Sequence, residues 1–196
     1  MINPLFKKII EIFDSFPEIG PRQAWRLFFW FLKQDQKFKN KFLDYFKLLI
    51  EKLNFCEKCY FPTVDEKLCE ICSDTKRDFS KLCLVARETD LITIENLKRY
   101  KGVYFVLGGL ILPFEDKEIL RERMKKLSER LAVDKKIKEV IIALPLTRDA
   151  EPTRKEVEKI ISKFNHLNIK KPKRGIPTGG EIEFIDPETL REALDL

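Results

Sequence analysis

The chain has 196 residues, of which 44% are hydrophobic and 36% are charged. This length gives room for one larger domain with small modules. The apolar runs all fall short of the roughly 18 residues that a membrane helix needs. The net charge of +6 is too mild to identify a partner. We therefore expect a soluble, cytoplasmic protein.

The N-terminal part predicts a basic helical module. Apolar residues recur at helical spacing in the segments 4–13, 23–32 and 37–53. Residues 1–55 carry ten basic and six acidic side chains, so a polyanion could bind here, although a solvated helix face with a lysine excess explains the same charge. The third helix has an apolar stripe that we expect to be core, formed by Phe38, Phe42, Tyr45, Phe46 and Leu49.

The turn at residues 16–21 has the features of a helix-hairpin-helix motif. Gly20 can adopt a positive φ, and Pro21 suits the first turn of the following helix. Arg22 and Arg26 are four residues apart and therefore lie on one face of that helix. In such a motif, backbone N–H groups at the turn and helix N-terminus bind a phosphate. A tight turn followed by two solvated arginines remains the alternative.

Four cysteines form two close pairs, Cys56-x2-Cys59 and Cys69-x2-Cys72. This spacing predicts a tetrahedral Zn²⁺ site, and a closed sulfur site leaves no position for water, so we expect a structural role. Two disulfides could use the same residues. We expect no signal peptide in residues 1–10, and disulfides do not persist in a reducing compartment. A thioredoxin-like redox pair explains one C-x-x-C but not two.

Downstream of the cysteine module, apolar strands alternate with amphipathic helices. This alternation predicts an α/β domain with a mostly parallel sheet, whose sites lie beyond the carboxyl ends of the strands. The module itself, residues 55–77, is too short to bury a core and needs the metal for stability. The predicted strands are 82–85, 103–107, 140–144 and 167–169, and the predicted helices are 90–97, 117–131 and 153–164.

Four strings in this order of parts resemble the RecR family of bacterial recombination mediators. Residues 16–27 resemble the hairpin string L-P-G-I-G-P-[KR]-x-A-x-R-L. Residues 69–78 resemble the family's second zinc knuckle and the basic and acidic residues that follow it, here Arg77 and Asp78. Residues 104–109 resemble Y-H-V-L-G-G. Residues 174–183 resemble R-G-[IL]-P-x-G-G-[DE]-[IL]-E, which is the longest and most specific string.

The resemblance implies an α+β protein of several modules. Residues 1–54 form the helix-hairpin-helix module, and residues 55–78 form the four-cysteine zinc module. Residues 79–170 form a Toprim-like α/β domain. A Gly-rich segment with a short helix follows at residues 171–196.

The resemblance also implies a function. The protein would be a non-enzymatic clamp in recombinational DNA repair, a ring-shaped homotetramer that binds single- and double-stranded DNA without sequence preference. It would act with RecO, and with RecF where present, to load RecA onto strands coated by SSB. Arg22 and Arg26 would contact the DNA backbone, and the four cysteines would hold zinc.

Two departures from the family pattern affect this interpretation. Glu18 stands where the hairpin usually has Gly, and its carboxylate could repel phosphate. Toprim enzymes hold Mg²⁺ with a Glu after the first strand and an Asp-x-Asp after a later one. Here these positions align with Ala86 and with Asp149-Ala150-Glu151. The resemblance assigns Asp149 and Glu151 to a vestigial site or to contact with RecO.

Two other functions stay open from the sequence. A Toprim-type Mg²⁺-dependent nuclease or primase would use Asp149 and Glu151, with Glu88 or Glu183 as a further ligand. An interaction scaffold without direct DNA contact is the second alternative, and Glu18 keeps it open.

Overall fold

The computed structural model describes residues 2–113 and 118–195 of the chain. The backbone divides into two compact units, the first extending to Leu53 and the second beginning at Asn54. None of the helices within the described residues is long and apolar enough to cross a membrane.

The first unit consists of three helices whose starts are fixed by short polar side chains and prolines. The Asn3 side chain accepts a hydrogen bond from the backbone of Leu5, and Asp35 accepts one from Phe38 at 2.6 Å. These caps satisfy N–H groups that have no partner within the helix. The helices are α1 (Pro4–Asp14), α2 (Pro21–Lys33) and α3 (Gln36–Lys52).

The small core of the first unit lies between α1 and α2, where Ile10, Ala24 and Phe28 are buried. Helix α3 contributes no buried residue, so the prediction that its apolar stripe is core is wrong for the single chain. The stripe forms a partly exposed row of rings instead, of which Phe38 and Phe42 contact rings of α2. The ring centroids of Phe38 and Phe42 are 6.4 Å apart, and those of Phe42 and Phe46 are 4.5 Å apart.

The second unit is built on a parallel four-stranded sheet, which confirms the predicted sheet type. The strand order is β4-β3-β5-β6, and every pairing is parallel. Leu82 of the central strand lies between Val103 on one side and Val140 on the other. The strands are β1 (Leu53–Phe55) and β2 (Pro62–Val64), which form a separate pair, then β3 (Asp78–Val85), β4 (Gly102–Val106), β5 (Glu139–Ala143) and β6 (Asn168–Lys170).

Helices cover both faces of the sheet, so strand β4 is buried at all five positions. Helices α6 and α7 pack on the face that carries Leu82 and Phe105. Helix α5 packs on the opposite face, beside Cys83 and Tyr104. The helices are α4 (Glu70–Ser73), α5 (Glu88–Asn96), α6 (Glu118–Val133), α7 (Glu151–Ile161) and α8 (Pro187–Ala193). The predicted start of α6 at Lys117 lies outside the described residues.

The C-terminal segment 171–195 has no buried residue. It is organised by ion pairs within itself. The Arg174 guanidinium contacts Glu188 and lies 3.9 Å from Asp186, while its backbone N–H donates to Glu192. Phe184, in the 3-10 turn Ile182–Phe184, is 79% exposed. An apolar side chain so exposed indicates that the segment packs little against its own chain.

Candidate metal centre and nucleic-acid interface

The four predicted metal ligands converge in the second unit. Cys56 and Cys59 follow β1, whereas Cys69 and Cys72 belong to the turn and first residues of α4. All four are buried, and their Sγ atoms lie within 4.8 Å of one another. The Sγ atoms of Cys59 and Cys69 are 3.4 Å apart. Ligands of a tetrahedral Zn²⁺ with Zn–S of 2.3 Å are about 3.8 Å apart, so the cluster fits one such ion.

The local backbone brings each pair together. The Cys56 N–H donates to the Phe61 carbonyl at 2.9 Å, and the Tyr60 N–H donates to the Cys56 carbonyl at 3.0 Å. Tyr60 closes this knuckle with a φ of +64°. Hydrogen bonds among the four sulfurs lower the pKa of Cys56 and of Cys69 and, together with burial, raise the pKa of Cys59 and of Cys72. A bound cation favours the thiolate form of all four, because thiolates are its ligands.

The first cysteine knuckle, residues 56–61, covers the open edge of the sheet at strand β4. The Val106 N–H donates to the Cys59 carbonyl at 2.9 Å, so the knuckle continues the hydrogen bonding of the edge strand. Tyr60 packs on the α6 face of the sheet, with its ring 5.3 Å from that of Phe105. Phe61, the next residue, packs on the α5 face. The knuckle therefore contacts the edge strand β4 on both faces of the sheet.

Two arginines of α6 reinforce this attachment. Arg130 donates to the carbonyls of Lys58 at 2.6 Å and of Tyr104 at 3.1 Å. Arg123 is buried, and its guanidinium lies 5.0 Å from the centre of the Tyr60 ring. A desolvated cation over an aromatic face is stabilised by the ring quadrupole.

The chain that leaves the second knuckle is fixed by a half-buried ion pair between Arg77 and Glu95. Both terminal nitrogens of Arg77 donate to the carboxylate of Glu95 on α5, and the Tyr104 hydroxyl donates to the same group at 2.8 Å. Arg77 also donates to the Gly102 carbonyl at 3.4 Å. The hydrogen bond from Arg77, followed by that from Tyr104, holds the pKa of Glu95 below its ordinary value.

The hairpin of the first unit presents two exposed arginines. Arg22 and Arg26 lie on α2, and neither forms an ion pair with any residue that the structure describes. Gly20 provides no side-chain cap, and the first turn of α2 has no acidic residue. The N–H groups at this end, with the positive end of the helix dipole, remain available to an anion.

Glu18 lies in the hairpin turn with a φ of +65°. The turn is closed by a hydrogen bond from the Ile19 N–H to the Phe16 carbonyl at 3.1 Å. A left-handed conformation is unfavourable for a residue with a side chain and favours Gly. The structure thus gives a conformational reason for Gly at this position in the family pattern.

Within the part of the chain that the structure describes, the acidic side chains of the Toprim pattern form no group of three or more with the spacing of metal ligands. Ala86 is buried at the end of β3, and Glu88, at the start of α5, lies 3.7 Å from the Arg123 guanidinium. Among the described residues, the cysteine quartet is the one group of potential ligands with metal-site spacing. Glu183 lies in the exposed C-terminal segment.

Asp149 and Glu151 lie beyond the carboxyl end of β5. Asp149 is exposed in a 3-10 turn, and Glu151 is the first residue of α7. Glu151 pairs with Arg154 and lies 3.5 Å from Lys155. The hydrogen bond from Arg154 lowers the pKa of Glu151. The Glu151 carboxylate is therefore already paired with the cationic side chains of Arg154 and Lys155.

Sequence reasoning missed Arg123, Arg130 and Glu95. Arg123 had a readable signal, since it lies on the apolar stripe of α6 that carries Leu120 and Leu127. A charged residue on a buried stripe indicates a specific partner. Glu95 and Arg130 act through partners that are distant in sequence, and no local pattern reveals them.

This combination defines a Toprim-fold protein with a four-cysteine metal module and a helical hairpin. The sequence pattern of the Toprim domain matches residues 80–169, and the pattern described as "RecR, C-terminal" matches residues 175–195. The second match lies within the exposed C-terminal segment.

Full-length relatives give the family. The chain is 38% identical to Recombination protein RecR of Maridesulfovibrio salexigens, over 91% of this chain and 89% of the relative. It is 35% identical to the protein of that name from Prochlorococcus marinus strain AS9601, over 96% and 92%. It is 36% identical to the protein of that name from Chloroflexus aggregans, over 96% of this chain and 90% of the relative. The chain belongs to the RecR family, which confirms the resemblance predicted from the four strings.

Proposed function

We propose that this protein is a non-enzymatic DNA-binding clamp of recombinational repair. It acts with RecO, and with RecF where that protein is present, to help load RecA onto SSB-coated single-stranded DNA. The observation that carries the DNA-binding part is the hairpin, where exposed Arg22 and Arg26 follow an uncapped helix N-terminus. Family membership supports the role in recombination.

The hairpin would contact phosphates and would not read sequence, because it offers backbone N–H groups and arginines. The test compares Arg22→Ala/Arg26→Ala with the parent in a fluorescence anisotropy titration of single-stranded DNA at several salt concentrations. We expect weaker binding, with the slope of log K against log salt concentration reduced by about 1.4 for each hairpin engaged, which is two phosphate contacts at about 0.7 each for single-stranded DNA. The matched control is Lys33→Ala/Lys37→Ala, which removes the same charge from exposed positions of the same unit. Equal effects of the two double variants would refute the assignment to the hairpin.

The absence of catalysis is part of the proposal. It is supported by Ala86 at the position of the Toprim Glu, by the Glu88–Arg123 contact, and by the Glu151–Arg154 pair. Labelled DNA incubated with the protein and Mg²⁺ should remain intact. Cleavage that Asp149→Asn abolishes would establish the nuclease alternative instead.

Asp149 and Glu151 are proposed as contacts to RecO. Both lie at the rim of the sheet, and Asp149 is exposed. Asp149→Asn should weaken capture of RecO on a sensor chip while DNA binding through the hairpin is unchanged. The same variant thus tests the partner contact separately from the DNA contact.

We propose structural Zn²⁺ as the metal of the cysteine module. Four thiolates saturate a tetrahedral ion, so the site provides folding energy and no open position for chemistry. Elemental analysis of purified protein should give one zinc per chain, and Cys59→Ser should release it.

The assembly is proposed to be a ring of four chains. Two exposed apolar surfaces would form the interfaces. One is the aromatic stripe of α3, which buries no residue although its rings contact Trp30 and Phe31 of α2, and the other is the C-terminal segment around Phe184. Two different self-complementary surfaces on one subunit generate a closed tetramer when their two-fold axes intersect at right angles. A ring holds DNA without sequence contacts, which fits the chemistry of the hairpin.

A further inference from the structure

A wide surface groove in the second unit is not explained by the DNA clamp. Its volume is about 1330 Å³. Residues 61–71 of the metal module and the α5 residues Leu91, Ile92, Glu95 and Asn96 line most of it. All of these residues are described, and the groove lies entirely within one compact unit. Its size suits an extended segment of several residues.

The groove contains apolar side chains that reach solvent. Val64 on β2 is 47% exposed and Ile92 on α5 is 46% exposed. Phe61 and Ile71 are half-buried in the same lining and belong to the apolar layer on the α5 face of the sheet. A concave surface with exposed aliphatic groups on a well-packed base is a typical binding site for a partner's side chains.

The charge of the groove is opposite to that of the chain. Its lining contains five acidic and two basic residues, whereas the whole chain has a net charge of +6. Glu66 and Glu70 are exposed, and neither forms an ion pair with a described residue. The two cations are engaged, since Arg77 is held by Glu95 and Lys67 lies 3.9 Å from Glu57. A negative surface disfavours nucleic acid and favours a cationic partner.

We propose that this groove binds a basic peptide segment of a partner protein, in which Lys or Arg alternates with aliphatic residues. The cations would contact Glu66 and Glu70, and the aliphatic side chains would pack on Val64 and Ile92. The chain's own basic run is a poorer occupant because its side chains are engaged. Lys170 pairs with Glu139, Lys171 with Glu158, and Arg174 with Glu188. This proposal does not depend on the DNA clamp.

The test uses two fluorescein-labelled octapeptides, one alternating Lys with Leu and one alternating Lys with Ser, in anisotropy titrations with the full chain. We expect the Lys-Leu peptide to bind about tenfold more tightly, because only its side chains bury apolar surface. Glu66→Gln/Glu70→Gln should weaken binding of the Lys-Leu peptide about threefold to tenfold. Ile92→Ser should weaken binding of the Lys-Leu peptide and leave binding of the Lys-Ser peptide unchanged.

The matched control is Glu11→Gln/Glu122→Gln, which removes two exposed acids outside the groove. Equal weakening by both double variants would overturn the proposal, as would equal binding of the two peptides by the parent protein. If a synthetic peptide of residues 169–176 displaces the Lys-Leu peptide, the proposal of a partner protein is overturned. The occupant of the groove would then be the basic segment of a second copy of this chain. Thermal melts of each variant verify that the unit stays folded.

Discussion

Glu18 is unfavourable in the hairpin for two reasons. Its backbone is left-handed, which disfavours a residue with a side chain, and its carboxylate would repel a phosphate bound at the hairpin. Replacing Glu18 by Gly removes the side chain from a left-handed position, and the larger entropy of the unfolded chain offsets part of the gain. We expect Glu18→Gly to raise the free energy of unfolding by about 0.5–1 kcal/mol in urea denaturation. DNA binding should also tighten, because a negative charge leaves the hairpin.

Glu18→Gln separates these two effects. It keeps the left-handed residue and removes only the charge, so DNA binding should tighten while stability stays close to that of the parent. A Gly variant no more stable than the Gln variant would show that the turn accommodates Glu18 without strain.

The Arg77–Glu95 pair gives stability a pH dependence whose sign follows from the lowered pKa of Glu95. A carboxylate with a lowered folded-state pKa stabilises the protein above the ordinary value of 4.5 and loses that contribution as the pH falls below it. Glu95→Gln should therefore cost about 1–2 kcal/mol at pH 7 and less at pH 4. Urea denaturation at both pH values measures the difference.

The exposed Glu122→Gln is the control for the charge change at Glu95. It should leave stability at both pH values within about 0.5 kcal/mol of the parent. If the Glu95 variant and the parent lose stability in parallel between pH 7 and pH 4, the pair is not the source of the dependence.

At the scale of elements, the metal module and strand β4 form one structure. The Val106–Cys59 hydrogen bond, the Tyr60–Phe105 contact and the Arg130–Lys58 hydrogen bond all join them. Removing the metal that we propose for the cysteine cluster should thus unfold the module and expose the edge of β4, because the module is too small to fold without it. Amide hydrogen exchange after chelation should accelerate at Val106 and in the knuckles. The central strand β3 should remain protected, and uniform acceleration across the sheet would contradict this division.

The strands of the sheet could be predicted from sequence where they are buried, and less well where they are not. The apolar runs that mark β3, β4 and β5 carry the pattern of strands covered on both faces. The first half of β3 was missed because it is polar. Asp78 pairs in the sheet with Gly102, and its carboxylate lies 2.9 Å from Lys81. Such a segment has neither alternation nor an apolar run to reveal it.

The cysteine spacing predicted the cluster of four buried sulfurs, because the geometry of each C-x-x-C pair is encoded locally. The contacts that anchor the site were not predictable, since Arg123 and Arg130 reach it from a helix more than 60 residues downstream. Helix α3 illustrates the opposite error. Its apolar period is correct for a helix, yet the period does not say whether the buried face meets the same chain or another one.

At the scale of the whole molecule, the exposed apolar surfaces of α3 and of the C-terminal segment make the proposed assembly testable without DNA. If α3 and the C-terminal segment form two separate interfaces of a tetramer, removing one should leave dimers, and removing both should leave monomers. We expect Phe46→Ser and Phe184→Ser each to give dimers in light scattering, and the double variant to give monomers.

Val133→Ser is the matched control for this prediction. It removes an exposed apolar side chain at the end of α6, outside both surfaces, and should leave the tetramer intact. A parent protein that is monomeric, or a double variant that stays tetrameric, would contradict the ring. Because a closed ring requires both interfaces, dimers of either single variant should also bind DNA less tightly than the parent, even with Arg22 and Arg26 unchanged.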